Sequence, residues 1–274
     1  MAYDRDVSRA GQAASFQVSG DAYDRHVGRY SGALARALIE AVGVEEGSRA
    51  LDVGCGPGAL TAALADTLGP DQVAAVDPSE PFAAACRERV PGADVRVAYA
   101  DRLPFEDGSF DLTLSQLVLN FVPDAPAALR EMLRVTRSGG VVAACVWDYA
   151  AEMTMLRAFW DAAVAVDPDT RDLHEGVRTP YGRPDKLGEL WRDAGLLDVV
   201  TGPIVVRASY AGFDDLWAPF TLGVGPAGAH TTSLGEPERE ALRAEFHSRL
   251  DSPEGPFELS ARAWMVRGRA PGKG

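Results

Sequence analysis

The segment LDVGCGPGAL, residues 51–60, gathers Gly54, Gly56 and Gly58 directly after a short apolar run and before a helical pattern. Glycines there let a ligand approach the backbone where a Cβ would otherwise stand in the way. In an open α/β sheet the crevice for such a ligand lies outside the C-terminal ends of the strands. Three carboxylates are spaced to face it. Asp52 stands two residues before the first glycine, Asp77 closes the next apolar run in AAVDPSE, and Asp101 closes the one after in ADRLPF. Asp52 would repel a phosphate but could receive an ammonium group. Asp77, followed by Pro78, is suited to accept both hydroxyls of a ribose. Asp101 can accept from an exocyclic amine, and Leu103, just beyond Arg102, offers an apolar face to a purine ring. Gly54, Gly56 and Ala59 also satisfy the loose dinucleotide fingerprint, for which an acid about 20 residues further on is expected, so an NAD-linked oxidoreductase is the alternative. No basic residue is placed for a pyrophosphate. Adenine, ribose and an amino-acid-like head group are provided for instead, which is the inventory for S-adenosylmethionine.

Positioning these residues takes a doubly wound sheet. RALDVG, QVAAVD, ADVRVAYAD, FDLTLSQ and GGVVAACVWD read as strands, and SGALARALIEAVGV, LTAALADTLG, SEPFAAACRERV and APAALREMLRVT as helices among them. Strands alternating with helices imply right-handed βαβ crossovers and a parallel sheet covered on both faces. After Asp148 the rhythm changes to a helix, MTMLRAFWDAAVAV, a turn-rich stretch, and a second helix, KLGELWRDAGL. A strand, VVTGPIVVRASY, comes next, then two helices around a Gly-rich loop, then a closing strand, FELSARAWMVRGR. The last two strands have no partners unless they rejoin the first sheet. One domain over residues 1–274 is therefore expected, with a cofactor-binding core at 31–148, helical cap elements at 149–183 and 211–250, and closing helix and strands at 184–210 and 251–270.

LDVGCGPGALTAALA, the acid in AAVDPSE, and the ADRLPFEDGSFDLTLSQLVLNFVPD and LRVTRSGGVVAACVWD blocks together resemble the successive motifs of class I S-adenosylmethionine-dependent methyltransferases of the ubiquinone-biosynthesis-like branch, the methyltransferase type 11 group. The resemblance covers roughly residues 48–148. It implies a Rossmann-like, seven-stranded, mostly parallel sheet with helices on both faces and its last strand antiparallel. It also implies Asp77 on the ribose, Asp101 and Leu103 around adenine, and Gly54, Gly56 and the backbone after Ser115 near the methionine portion, where Gln116 follows the fourth strand. The upstream segment DAYDRHVGRYSGALARALIE resembles the aromatic N-terminal helix region of the same enzymes, with Tyr23 and Tyr30 as its aromatics.

Methyl transfer from a sulfonium is an in-line displacement in which much of the protein's contribution is near-attack geometry; the by-product is S-adenosylhomocysteine. A catalytic side chain is not obligatory. Of the four histidines, His26 and His247 lie in charged stretches, whereas His230, in GVGPAGAH, and His174, in DLHEG, are placed as candidate bases over the crevice mouth. Phe159, Trp160, Trp217 and Phe220, with Met153 and Met155, are candidate acceptor walls, although aromatic and Met residues at helical spacing also describe a core. The acceptor expected is a small molecule methylated at O, N or an activated carbon. A non-methylating relative that binds the same cofactor would carry the same motifs.

Composition narrows the partners. With 46% apolar and 24% charged residues over 274, the chain has the profile of a globular protein. Forty acidic against 27 basic residues give a net charge of −13, which opposes a nonspecific grip on nucleic acid or anionic lipid. SQLVLNFVPD lacks the Asn/Asp-Pro-Pro-aromatic run used to hold a flipped base. Nothing approaches the roughly 18 consecutive apolar residues of a membrane span. Cys55, Cys86 and Cys145 form neither a disulfide framework nor a zinc site. Without a signal-like run in the first thirty residues, a cytoplasmic enzyme without a metal is the expectation.

Overall fold

The computed structural model describes residues 28–272; Tyr23 and His26 lie outside them. The strands are β1 (Ala50–Val53), β2 (Val73–Asp77), β3 (Asp94–Val97), β4 (Phe110–Gln116), β5 (Thr136–Trp147), β6 (Leu197–Tyr210) and β7 (Phe257–Arg269). They form one sheet in the order β3-β2-β1-β4-β5-β7-β6. Only β7 runs against its neighbours, pairing antiparallel with both β5 and β6. The chain begins mid-sheet, winds out to β3 and returns to β4 beside β1, so the winding reverses between β1 and β4. That reversal opens a crevice above the C-terminal ends of the strands.

β1 and β2 are buried along their whole length, as parallel strands covered on both faces must be. Alternation divides their side chains between two layers. Ala50 joins the layer of α1 (Gly28–Val42), α2 (Ala59–Leu68), α5 (Thr154–Val166) and α10 (Glu236–Arg249); Leu51 and Val53 join that of α4 (Ala125–Val135) and α7 (Pro184–Asp193). Helix α3 (Glu80–Arg89) follows β2. The short helices are α6 (Glu175–Arg178), α8 (Phe213–Trp217) and α9 (Gly225–Ser233). Helix α4 starts where Asp124 accepts a hydrogen bond from the Ala127 N–H at 2.9 Å, with Pro126 in its first turn, a strong start signal. Among the described residues no helix is long and apolar enough to cross a membrane.

Two local expectations are corrected. The third strand ends at Val97 and not at the following acid, so residues 98–101 form loop. The expected Gly-rich loop around GVGPAGAH is largely helix α9, and the 213–250 segment holds three helices and a 3-10 turn, Ala218–Leu222. Pro226 presets the first turn of α9. Gly228 serves close packing, because a Cβ there would lie 2.7 Å from the Gly223 carbonyl carbon.

Candidate functional site

The end of β1 is tied to both neighbouring strands. Gly54 and Cys55 donate their N–H groups to the Val76 carbonyl at 2.8 and 3.0 Å, and the Ser115 hydroxyl donates to the Val53 carbonyl at 2.8 Å. Beyond it the loop turns through three left-handed glycines. Gly54 has φ +79°, and a Cβ there would run into a Val118 methyl. Gly58 has φ +92° and packs on Cys86, whose sulfur would be 2.9 Å from an added Cβ. Gly56, by contrast, has none of the described residues within 4 Å of that position, so its backbone is approachable.

Asp77 fastens this loop to the next turn. One carboxylate oxygen accepts the Gly56 N–H and the other the Ser79 N–H, each at 2.9 Å. Burial pushes its pKa up against the pull of those two hydrogen bonds, and each oxygen keeps a lone pair for a hydroxyl donor. Above the loop lies a cleft with about 1040 Å³ of empty space, including its open mouth. Gly54, Gly56, Asp77, Pro78, Asp101 and Gln116, all expected from sequence, line it. The lining also includes Ser79, Phe82, Ala98, Tyr99 and Ala100 on one side and Leu117 to Val118 and Phe121 to Pro123 on the other, which sequence reasoning missed. Leu117 holds φ +66°, a left-handed backbone unusual for a branched side chain.

Several expected residues sit elsewhere. Asp52 is 1% exposed and does not line the cleft; it faces α2, accepting from the Thr61 hydroxyl at 2.7 Å, while its second oxygen is buried without a partner among the described residues. Burial, reinforced by Asp77, pushes its pKa up to about 7. Leu103 is buried in the layer of α4 and is not at the cleft; the apolar lining at that end comes from Phe82, Ala98, Tyr99 and Ala100. Arg102 is exposed, Ser115 and Gly58 support the loop from beneath, and Tyr30 is fully buried with its hydroxyl 3.1 Å from that of Tyr210. Strand alternation carries Ser115 inward, and Leu103 turns into the core from the crossover between β3 and β4; Tyr99, two residues before Asp101, was the available signal for the cleft wall.

Neither candidate histidine lines this cleft. The His174 ring accepts from the Gly176 N–H at 2.9 Å, capping α6. His230 sits on α9 against Trp160, where burial lowers its pKa. The four candidate acceptor aromatics are core. Phe159 stacks on Phe220 at 4.6 Å between ring centroids, both meet Phe246 edge-on, and Trp217 flanks Phe220. Trp160 donates its ring N–H to buried Glu175 at 2.8 Å. None of the four reaches the glycine-loop cleft.

S-adenosylmethionine suits this lining. Two buried polar atoms at the wall, the Ser79 hydroxyl and the Gln116 side-chain carbonyl, have no hydrogen-bond partner among the described residues. Asp77 and Asp101 carry the ionisable charge, and the described lining holds no Lys, Arg or His for a phosphate.

Comparison with known proteins agrees. Residues 51–144 match the family described as a methyltransferase domain. A demethylmenaquinone methyltransferase from Beutenbergia cavernae is 37% identical over 190 residues, which span 63% of this chain and 77% of that one. One of the same description from Staphylococcus aureus is 39% identical over 111 residues, covering 39% of this chain and 46% of the relative. The fold is shared with phosphoethanolamine N-methyltransferase 2 of Haemonchus contortus in complex with phosphomonomethylethanolamine and S-adenosylhomocysteine, at TM-score 0.55 and 17% identity over 87% of the present chain and 52% of that one. Shared sequence across three quarters of a quinone-modifying relative, on this sheet order, makes the chain a member of the class I S-adenosylmethionine-dependent methyltransferases of the ubiquinone and menaquinone-biosynthesis type.

Proposed function

We propose that the enzyme methylates a small, apolar acceptor that enters the glycine-loop cleft along the wall from Leu117 to Pro123. The observation that supports this reading is the character of that wall: Leu117, Val118, Phe121, Val122 and Pro123 are all apolar. A demethylated quinone, as in the relatives' names, is the first acceptor to test. When bound, S-adenosylmethionine supplies the methyl group as a sulfonium. In this reading Asp77 accepts the ribose hydroxyls, Asp101 accepts from the exocyclic amine of adenine, and the carbonyl of Gln116 orients the methionine head. The apolar wall excludes water and restricts the acceptor's approach.

With no histidine on the described lining, the protein's share of the rate comes from proximity and orientation, which can supply about 7–11 kcal/mol of a barrier. A weakly basic group or water then suffices to take a proton from an activated carbon or phenol. Incubation of the enzyme with methyl-labelled cofactor and a panel of a demethylated quinone, a catechol, an aliphatic amine and single-stranded RNA tests the acceptor class. Label on the quinone or catechol supports the reading; label on the amine or RNA alone overturns it.

A further inference from the structure

Between Val97 and Phe110 the chain crosses from the edge strand β3 to the central strand β4 without helix or strand. Its first part, Ala98 to Asp101, lines the cleft; the Ala98 N–H donates to the Asp77 carbonyl at 3.2 Å, and beyond Ala98 the wall belongs to no strand. The second part is gripped by α4. The Glu131 carboxylate accepts the Leu103 N–H at 2.9 Å. The Arg134 guanidinium donates to both oxygens of Glu131 at 2.7 and 2.8 Å, to the Leu103 carbonyl at 3.0 Å, to the Phe105 carbonyl at 2.9 Å and to Asp107 at 3.0 Å. These contacts use every donor a guanidinium has. The Arg134 carbonyl in turn accepts the Gly108 N–H at 3.0 Å, and Leu103 is sunk in the core against α4 and β4.

We propose that Glu131 and Arg134 are positioning residues: by clamping residues 103–108 they hold the Tyr99–Asp101 wall in place and so set cofactor affinity without touching the cofactor. The inference rests on the reading that Asp101 meets the adenine end. Neither residue lines the cleft, and the carbonyls that Arg134 holds begin two residues after Asp101. A surface ion pair alone would contribute little; here the pair makes three contacts to the backbone of the crossover, beside Arg96 of β3, whose guanidinium donates to the Pro104 carbonyl at 2.8 Å and lies over the Phe105 ring.

Arg134→Lys is the informative variant, since an ammonium keeps the charge but has three donors and no planar fork. Expected is about a tenfold loss of affinity for S-adenosylmethionine and S-adenosylhomocysteine alike, the scale of one charge-assisted hydrogen bond. KM for the cofactor rises in parallel while kcat at saturation stays within about twofold. Hydrogen exchange rises at residues 99–108, and in an Asp101→Ala background the lysine substitution adds little. Glu131→Gln, which keeps an oxygen for the Leu103 N–H, should show the same pattern more weakly and serves if the lysine variant does not fold. Unchanged affinity in either soluble variant, a fall in kcat at constant KM, or full additivity with Asp101→Ala overturns the clamp. If Asp101→Ala binds cofactor as well as the parent, the adenine-end reading itself falls, and the clamp with it; if Asp101→Ala weakens binding and the position 134 and 131 variants do not, only the clamp falls.

Discussion

At the scale of single residues, two buried carboxylates, Asp52 and Asp77, flank the glycine loop. Asp52 has its pKa pushed up to about 7 by burial, against about 3.9 in an unfolded chain. The native state therefore keeps a proton that the unfolded state releases between those values. This group's contribution to stability is full below about pH 4, is lost as pH rises towards 7, and is level above that. In Asp52→Asn that titration is gone, so urea melts of the protein without cofactor should show the variant gaining on the parent between pH 4.5 and 7.5; a constant difference across the range would contradict it. Gly54→Ala should cost about 1–3 kcal/mol, from left-handed strain and the clash with Val118. Adding Val118→Ala should recover part of that loss in the same melts, because it removes the two offending methyls, and no recovery would refute the close-contact account. Asp77 was legible because a strand-ending acid after a glycine loop has few other uses. Asp52 and Leu103 were not, since which way a side chain points depends on strand register and on where the chain turns.

At the scale of elements, the segments after β5 show why aromatic spacing misleads. Phe159 on α5, Phe220 on the 3-10 turn and Phe246 on α10 interlock, and each is fully buried. Phe220→Ala should therefore destabilise the fold by about 3–5 kcal/mol, read in a denaturant melt, with cofactor affinity unchanged where the variant remains folded. A stable variant with a raised KM for the acceptor would restore Phe220 to the pocket. Helix periodicity identifies the buried stripe of α5 but does not distinguish a stripe facing other helices from one facing a ligand. GVGPAGAH shows the same limit: Gly and Pro suggest a loop, yet Pro226 starts α9 and Gly228 lets it pack on Gly223. The β1, α2, β2, α3 and α4 pattern was legible because glycines and acids punctuate it at each strand end.

At the scale of the molecule, alternation of strands and helices accounted for the parallel half of the sheet, and the family resemblance for the antiparallel β7. The return of β6 and β7 to that sheet followed from their need for partners, a long-range requirement that no local propensity expresses. One crevice, at the point where strand order reverses, gathers Gly56, Asp77, Asp101 and Gln116 from four separate parts of the chain. The central claim is that this crevice holds the cationic nucleoside cofactor through Asp77. Calorimetric titration of the parent and Asp77→Ala with S-adenosylmethionine, and of the parent with NAD, tests it most directly. The account predicts one saturable S-adenosylmethionine site, at least about tenfold weaker binding once the charged hydrogen-bond acceptor is removed, and no heat with NAD; equal affinity in the two proteins, or tight binding of NAD, would contradict it.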